Sequence, residues 1–321
     1  MLQASRGTVK PSGNFNASAD AEVLHKAMKG LGTDEGAILQ LVTARSNAQR
    51  QEIKAAYKTL FGKDLIHDLK GELSGKFETL IVALMTPPIS YDVTCLHDAI
   101  KVGATVVTVK SENQPFWSHT ANRVSLCRQK FLQKYDRSLE ADVCGDTSGH
   151  FQRLLVILLQ ASRQTGIQQE LVESDAQALF KAGEQKFGTD EQSFVTILGN
   201  RSTEHLRKVF DAYMKLSGYQ IEESIQRETS GCLRDLLLAV VKCARSVPAY
   251  FAETLYKSMK GAGTDDNTLI RVMVTRSEVD MLDIRAEFRR LFACSLHSTI
   301  KGDTSGDYCK ALLLLCAGDD A

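Results

Sequence analysis

The stretch MKGLGTDE at residues 28–35 ends one amphipathic segment and starts another, and the chain repeats it. It returns as MKGAGTDD at 259–266 and, in a weaker form, as EQKFGTDE at 184–191. Self-similarity of this kind indicates a chain built from copies of one structural unit. The residues that surround this turn in each copy therefore decide the fold.

Three markers follow every copy of the turn at fixed distances. An arginine lies 13 residues after the second glycine, an aromatic residue lies 25 after it, and an acid lies 40 after it. In chain order the markers are Arg45, Tyr57 and Glu72, then Arg201, Tyr213 and Glu228, then Arg276, Phe288 and Asp303. Three coincidences at three offsets leave little room for chance.

A fourth module is recognisable without its glycine turn. Asp146 in GDTSG has Phe131 fifteen residues before it, which is the same distance as in the other modules. The four acids are then spaced by 74, 82 and 75 residues. This spacing predicts an N-terminal tail at 1–15 and repeats I to IV at 16–88, 89–162, 163–246 and 247–321, with repeat II atypical at 102–126.

The local pattern predicts an all-α fold. The segments DAEVLHKAMK (20–29) and YFAETLYKSMK (250–260) place apolar residues three and four positions apart, which is the amphipathic helix pattern. The threonine of each GTD turn is expected to be the N-cap of the next helix, with acids in the first turn, where the helix dipole favours them. Alternating β-branched segments do not recur at strand length, so no sheet is expected.

Composition limits the partners. Lys and Arg total 39, as do Asp and Glu, so the net charge is zero. This balance argues against nucleic acid as a partner and gives no bulk attraction to an anionic membrane. The eight scattered cysteines are expected to be reduced core residues. The start lacks the apolar region of a signal peptide, and the longest apolar runs are too short to span a membrane, so a soluble, cytoplasmic protein is expected.

The glycine turn and the distant acid together suggest a cation site. Glycine permits positive φ, which lets successive carbonyls converge. Calcium takes six to eight oxygen ligands, commonly carbonyls and a bidentate carboxylate. Three carbonyls and one acid leave positions open for a phosphate oxygen from a lipid headgroup, and bound calcium would provide the positive bridge that a neutral protein lacks. The plain alternative is that the turns only join helices and the acid only caps the next one.

This constellation resembles the annexin family over essentially the whole chain. The resemblance rests on the four repeats, the GxGT-D/E turn, the acid forty residues on, and the C-terminal KGDTSGDYxKALLLLC. The short tail RGTVKPSGNF is similar to that of the short-tail branch. The resemblance implies five helices per repeat in a slightly curved all-α disc, calcium loops on its convex face, and reversible, calcium-dependent binding to phosphatidylserine-rich membranes.

The resemblance also implies ligands for three calcium sites and a set of lipid contacts. The calcium ligands are the carbonyls of Met28, Gly30 and Gly32 with Glu72, those of Gly183, Lys186 and Gly188 with Glu228, and those of Met259, Gly261 and Gly263 with Asp303. Thr33 and Glu35 are expected to hold a second, weaker ion. Lys29 and Lys260 are expected to meet lipid phosphates, and Leu31 and Phe187 to enter the interface. Many relatives carry tryptophan in place of Phe187, and for Leu31 plain packing is the alternative.

The resulting functional prediction is a peripheral membrane protein that uses calcium as its cofactor and anionic phospholipid as its partner. It is expected to be monomeric in solution with self-association on membranes, and cytoplasmic, with an extracellular location as an alternative. Membrane coating would allow anticoagulant or phospholipase-inhibiting roles.

An enzyme is not expected, because GDTSG recurs in varied form and no histidine is phased with it. The rival interpretation is a helical-repeat scaffold that binds proteins.

Repeat II departs from the pattern at KVGATVVTVKSENQPFWSHTANRVSLCRQ (101–129). Forty residues before Asp146 stands Val106 instead of a glycine. Either the repeat has diverged, or part of the stretch is a misread frame of the coding sequence, and we favour the misread frame because both flanks fit the repeat. In either case calcium binding by repeat II is not expected, because its turn is not recognisable.

Peptide mass mapping of the native protein over 101–130 separates these two interpretations. A misread frame predicts that the peptides encoded by the printed sequence are missing from the native digest, while peptides from both flanks are present. Recovery of the printed peptides would instead assign the stretch to true divergence.

Overall fold

A computed structural model of the chain describes residues 5–30, 32–101, 121–183, 190–261 and 263–319. These ranges form nineteen α-helices and contain no strand. Among them, no helix combines the length and the apolar composition that crossing a bilayer requires. The all-α prediction is therefore confirmed.

The helices follow one another in the same order in each repeat. Repeat I contains α1 (Ala17–Ala27), α2 (Glu35–Thr43), α3 (Asn47–Phe61), α4 (Leu65–Glu72) and α5 (Gly75–Leu84). The described part of repeat II contains α6 (Pro88–Lys101), α7 (Ala121–Tyr135), α8 (Leu139–Asp146) and α9 (Gly149–Gln160). Repeat III contains α10 (Gln169–Gly183), α11 (Glu191–Asn200), α12 (Thr203–Ser217), α13 (Ile221–Glu228) and α14 (Gly231–Arg245). Repeat IV contains α15 (Val247–Met259), α16 (Asp266–Arg276), α17 (Met281–Phe292), α18 (Leu296–Asp303) and α19 (Gly306–Cys316).

The chain divides into two compact units. One comprises residues 1–91 and 251–321, and the other comprises residues 92–250. In the first unit, α2 packs against α19, and α5 packs against α16 and α19, so the two ends of the chain share one core. In the second unit, α10 packs against α12, and α11 packs against both α9 and α14.

The aromatic marker of each repeat lies in the core. Tyr57, Phe131, Tyr213 and Phe288 are each at most 1% exposed. Their neighbours are aromatic as well, since the ring centroids of Tyr57 and Phe61 lie 4.9 Å apart, and those of Phe288 and Phe292 lie 5.0 Å apart. Burying large rings supplies much of the apolar contact area of a helical module. The aromatic recurrence in the sequence is therefore a packing feature.

The arginine marker forms an ion pair within its own repeat. In repeat I, Arg45 Nε donates to Asp20 Oδ2 at 2.6 Å, and in repeat III, Arg201 Nε donates to Asp175 Oδ2 at the same distance. In repeat IV, Phe251 stands where α1 has Asp20, and Arg276 pairs instead with Asp280, four residues along the chain, at 2.6 Å. The arginine of repeat IV therefore also has a carboxylate partner, but this partner comes from a different position of the repeat.

The N-terminal tail lies along the start of α17. The backbone N–H of Arg6 donates to Val279 O at 3.1 Å, and the N–H of Leu282 donates to Arg6 O at 3.0 Å. Between these bonds, Gly7 lies so close to Glu278 that a Cβ on Gly7 would come within 2.4 Å of the Glu278 carbonyl carbon. Only glycine fits there without moving the backbone, so the tail depends on Gly7 for this contact.

The cysteines carry no cross-links. All eight lie in the described ranges, and none of them forms a disulfide. Cys127, Cys243, Cys309 and Cys316 are buried, as expected of reduced core residues. The other four depart from this expectation, since Cys95, Cys232 and Cys294 are half-buried and Cys144 is exposed. Burial and the carboxylate of Asp92 raise the pKa of the Cys127 thiol to about 12.

Candidate functional site

The glycine turn of repeat I is an open backbone loop between α1 and α2. Gly30 has φ of 133° and Gly32 has φ of 92°, a region that L side chains rarely adopt. The loop is closed by the N–H of Asp34, which donates to Ala27 O at 2.9 Å. The two glycines therefore turn the chain so that a short stretch of main chain is exposed between two helix ends.

The acid marker lies at this turn, as its spacing predicts. Glu72 is the last residue of α4, and its Oε2 accepts a hydrogen bond from Thr33 Oγ1 at 2.7 Å. The prediction that Thr33 is the N-cap of α2 is wrong, because Asp34 is the N-cap and its Oδ1 accepts from Ala37 N at 2.9 Å. The threonine hydroxyl is thereby free to bind the distant carboxylate. The plain alternative, in which the acid caps the next helix, is not observed for Glu72, since α5 begins after Ser74.

Repeat IV builds the same arrangement. Gly261 and Gly263 have φ of 117° and 99°, and the N–H of Asp265 closes the loop on Ser258 O at 2.8 Å. Thr264 Oγ1 donates to Asp303 Oδ2 at 2.5 Å. Again the aspartate after the threonine caps the following helix, and the threonine binds the acid that ends α18. The two copies of the turn therefore form the same arrangement of glycines, threonine and acid.

In repeat III, the described residues include both ends of the loop between α10 and α11. The N–H of Asp190 donates to Ala182 O at 2.9 Å, so the loop is one residue longer than in repeats I and IV but is closed by the same bond. A Cβ built on Gly183 would lie 3.4 Å from Glu228 Cγ, so the acid packs against the first predicted carbonyl residue. Lys186, Phe187 and Gly188 lie outside the described residues.

Of the site markers in repeat II, the acid lies among the described residues and the turn does not. Asp146 is the last residue of α8 and is exposed. The stretch 102–120, which would hold the turn, lies outside the described residues. The next residue, Thr147, donates its hydroxyl to Val143 O at 2.5 Å.

The donor set at the turns suits a hard cation. Within the described ranges, no hydrogen bond is directed to the carbonyls of Met28, Gly30 or Gly32, and no group of three His, Cys, Asp or Glu side chains comes together. A cation here would therefore take main-chain oxygens and a single carboxylate. All-oxygen sets of this kind suit calcium, whereas zinc favours histidine and cysteine.

The electrostatic surroundings of the repeat IV turn are negative. Tyr308 on α19 is buried, and burial together with the carboxylates of Asp266 and Asp303 raises its pKa above the ordinary tyrosine value. The carboxylates of Asp265, Asp266 and Asp303 all act on this phenol, and the negative potential that they create favours a cation. The same potential would oppose an anion at this position.

The remaining predicted contacts surround the turns. Lys29 and Lys260 are exposed directly after the helices that enter the loops, and the ammonium of Lys260 lies 5.5 Å from the centre of the Tyr256 ring. Glu35 is the first residue of α2. Leu31 lies outside the described residues. The hydrogen bond between the threonine and the acid was missed at the sequence level, although both residues recur at a fixed 39-residue separation.

Comparison with known proteins identifies relatives along the whole chain. A protein-family model described as Annexin matches residues 19–84, 116–158, 174–240 and 250–315. Annexin A5 of Gallus gallus is 62% identical over 322 aligned residues, and so is annexin A5 of Homo sapiens; each match covers 100% of this chain and 100% of the relative.

Solved structures give the same result for the fold. Chicken annexin V in complex with Zn2+ superimposes with a TM-score of 0.92 at 61% identity, covering 99% of this chain and 100% of that one. Calcium-bound annexin (Sm)1 superimposes with a TM-score of 0.85 at 32% identity, covering 99% of this chain and 95% of that one. With four matched repeats, high identity from end to end and a shared all-α structure, the chain belongs to the annexin family.

Proposed function

We propose that the chain binds anionic, phosphatidylserine-rich phospholipid membranes reversibly and only with calcium. The observation that carries the proposal is the bond from Thr33 to Glu72, repeated from Thr264 to Asp303, which brings one carboxylate to each glycine turn. The relatives of this chain are annexins, and the structure of one of them contains bound calcium, which supports calcium binding by this chain.

Each proposed site combines main-chain carbonyl oxygens with one carboxylate. In repeat I, the carbonyls of Met28, Gly30 and Gly32 would supply three oxygens, and Glu72 would supply the charge. Calcium, when bound, would provide a positive centre with coordination positions left for a phosphate oxygen. Thr33 holds Glu72 Oε2 beside the loop, so the carboxylate is already in place before an ion arrives. Pre-positioning of this kind reduces the entropy lost on binding.

The other turns are proposed to act in the same way. Met259, Gly261 and Gly263 with Asp303 form the repeat IV site, and Gly183, Lys186 and Gly188 with Glu228 form the repeat III site. Several weak sites on one chain reinforce one another at a surface, because each additional contact is effectively intramolecular. With calcium at several sites, a protein with no net charge can therefore bind an anionic membrane without a basic patch.

The contacts around the loops are proposed to touch lipid. Lys29 and Lys260, both exposed, would pair with headgroup phosphates. Leu31 and Phe187 would enter the interface, and Thr33 with Glu35 would hold a weaker second ion. On this basis we propose a cytoplasmic, non-enzymatic protein, monomeric in solution, that lies on membranes when calcium rises. A protein that coats the membrane in this way could self-associate there, act as an anticoagulant or inhibit phospholipases.

Sedimentation with lipid vesicles tests the proposal. With phosphatidylserine vesicles and calcium, most of the protein is expected in the pellet, whereas a calcium chelator should return it to the supernatant. Pure phosphatidylcholine vesicles provide the control for surface charge, because they lack the anionic headgroup. If calcium makes no difference to sedimentation, membrane binding through these sites is wrong. The rival interpretation, a helical-repeat scaffold for proteins, would then be preferred.

A further inference from the structure

A lysine of repeat I forms an ion pair with an acid at the proposed calcium site of repeat IV. Lys76 is the second residue of α5, and its Nζ lies 3.6 Å from Oδ2 of Asp266, the first residue of α16. The contact is possible because α5 packs against α16. The lysine side chain is 52% exposed and that of Asp266 is 20% exposed. A cation from one repeat therefore lies beside the site of another.

Asp266 lies close to the proposed ligands of repeat IV. It comes two residues after Thr264, which holds Asp303. Besides burial, the carboxylates of Asp266 and Asp303 raise the pKa of one phenol, that of Tyr308, so both carboxylates lie near it. An ion held by Asp303 would therefore also experience the charge of Asp266. Asp266 is not a proposed ligand, so its effect on the ion would be electrostatic.

The ammonium group of Lys76 opposes this effect. At 3.6 Å from the carboxylate, it offsets much of the attraction of Asp266 for a cation. A divalent ion is repelled by a nearby positive charge more strongly than a monovalent ion is, and salt screens only part of this repulsion over such short distances. The pair therefore leaves the repeat IV turn less negative than its own acids would make it.

The equivalent contact beside the repeat I turn has no lysine. α2 packs against α19, in the way that α5 packs against α16. Glu35 is the first residue of α2, as Asp266 is of α16, but the second residue of α19 is Asp307 instead of a lysine. Asp307 pairs within its own helix, with Lys310 Nζ at 2.8 Å from its Oδ1. The two turns therefore differ in the charge that the neighbouring repeat presents to them.

We propose that Lys76 lowers the calcium affinity of the repeat IV turn by pairing with Asp266. The inference rests on the proposed function, because it concerns one of the proposed calcium sites. It gives Lys76 a role opposite to that of Lys29 and Lys260, which are proposed to pair with headgroup phosphates. Removing a headgroup contact would weaken membrane binding, whereas removing Lys76 should strengthen ion binding. The sign of the effect therefore separates the two roles.

Terbium luminescence measures ion binding at repeat IV in the full chain without lipid. Terbium is a hard cation that takes oxygen ligands as calcium does, and it emits when an excited tyrosine lies close, as Tyr308 lies to Asp303. Asp303→Asn should remove this signal, which assigns it to repeat IV. Lys76→Gln is expected to lower the half-saturating terbium concentration about two- to threefold at low ionic strength, and added salt should reduce the shift.

A double-mutant cycle tests whether Lys76 acts through Asp266. Asp266→Asn alone should raise the half-saturating terbium concentration, because it removes a negative charge near the ion. In the Asp266→Asn background, Lys76→Gln should have a smaller effect, since the flexible lysine is no longer held beside the site. Lys76→Arg keeps the charge and should bind terbium as the unsubstituted chain does. An equally large effect of Lys76→Gln in both backgrounds would show that the pairing is not the cause.

The matched control is a second exposed lysine–aspartate pair, outside the turns. Lys63 lies between α3 and α4, its Nζ is 4.0 Å from Asp68 Oδ2, and its side chain is 61% exposed. Lys63→Gln should leave the terbium affinity unchanged. In the presence of a chelator, neither Lys76→Gln nor Lys63→Gln should change the urea midpoint of unfolding, because exposed pairs add little stability. A merely structural role for Lys76 would lower that midpoint without strengthening ion binding.

Vesicle sedimentation separates the failure of this inference from the failure of the proposed function. Lys76→Gln is expected to require less calcium than Lys63→Gln for sedimentation with phosphatidylserine vesicles. If the unsubstituted chain sediments only with calcium but Lys76→Gln requires the same amount or more, the role assigned to Lys76 is overturned and the proposed function stands. If calcium makes no difference to the unsubstituted chain, the proposed function is wrong and this inference fails with it.

Discussion

Replacing the three acid markers, with Glu72→Gln, Glu228→Gln and Asp303→Asn together, is expected to raise the calcium concentration required for vesicle binding by more than about tenfold. Each proposed site has a single charged ligand, and the amide keeps the shape of the side chain but removes its charge. The carbonyls that remain are weak calcium ligands when no carboxylate accompanies them. Sedimentation with phosphatidylserine vesicles across a calcium titration measures the change.

The matched control carries the same three substitutions at exposed acids outside the turns. Glu52→Gln, Glu204→Gln and Asp211→Asn also remove three negative charges, and all three residues lie on exposed helix surface. This variant should retain the original calcium requirement. If the acid-marker variant keeps it as well, the proposed ligands are wrong even where calcium-dependent binding itself is observed.

Three markers recur with equal regularity in the sequence, but they have different physical roles. The aromatic marker is buried in every repeat, and the arginine marker forms an ion pair. Only the acid marker reaches an open backbone turn, where Glu72 is exposed. Periodicity alone could not tell which marker belongs to a binding site, because residues required for packing and residues required for binding recur at equally regular positions.

The fold was predictable because the sequence patterns that determine it are local and occur in every repeat. Helical periodicity, glycine turns and four copies of one pattern all point to the same architecture. The pairing of turn and acid was also predictable, since a fixed offset within a repeat implies a fixed position in space. The prediction failed at Thr33, where the sequence offers two adjacent capping residues and only the three-dimensional position of Glu72 decides between them.

The docking of the N-terminal tail was not predictable from the repeats. It joins Arg6, from a tail that belongs to no repeat, to Val279 and Leu282, which come much later in the chain. No periodic signal connects such residues, and Gly7 reads as an ordinary flexible glycine until its contact with Glu278 is known. Features that depend on long-range docking of a unique segment leave no pattern in a repeated sequence.

The largest effect on stability is expected for Asp175→Ala in repeat III. Asp175 accepts from Arg201 through both carboxylate oxygens, at 2.6 and 2.9 Å, and its Oδ2 also lies 2.9 Å from His205 Nε2. Its side chain is 8% exposed and that of His205 is 2% exposed. Without Asp175, Arg201 keeps partial exposure (18%) and a hydrogen bond to Gln164 Oε1 at 2.8 Å, while the buried His205 loses its partner, so a loss of about 2–3 kcal/mol is expected. Urea unfolding followed by circular dichroism measures the loss.

Repeat I provides the graded comparison for this prediction. Asp20→Ala breaks the equivalent pair with Arg45, whose side chain is as exposed (19%) as that of Arg201 (18%), but position 49, which corresponds to His205, is a glutamine. With one partner instead of two, Asp20→Ala should destabilise the protein less than Asp175→Ala, and Asp211→Asn on exposed surface should change stability by less than about 0.5 kcal/mol. If Asp175→Ala were no more destabilising than Asp211→Asn, the arginine marker would not be a stabilising ion pair. In repeat IV, Phe251 stands at the position of the acid and Arg276 pairs with Asp280 instead, so the arginine marker has a carboxylate partner in all three repeats that carry it.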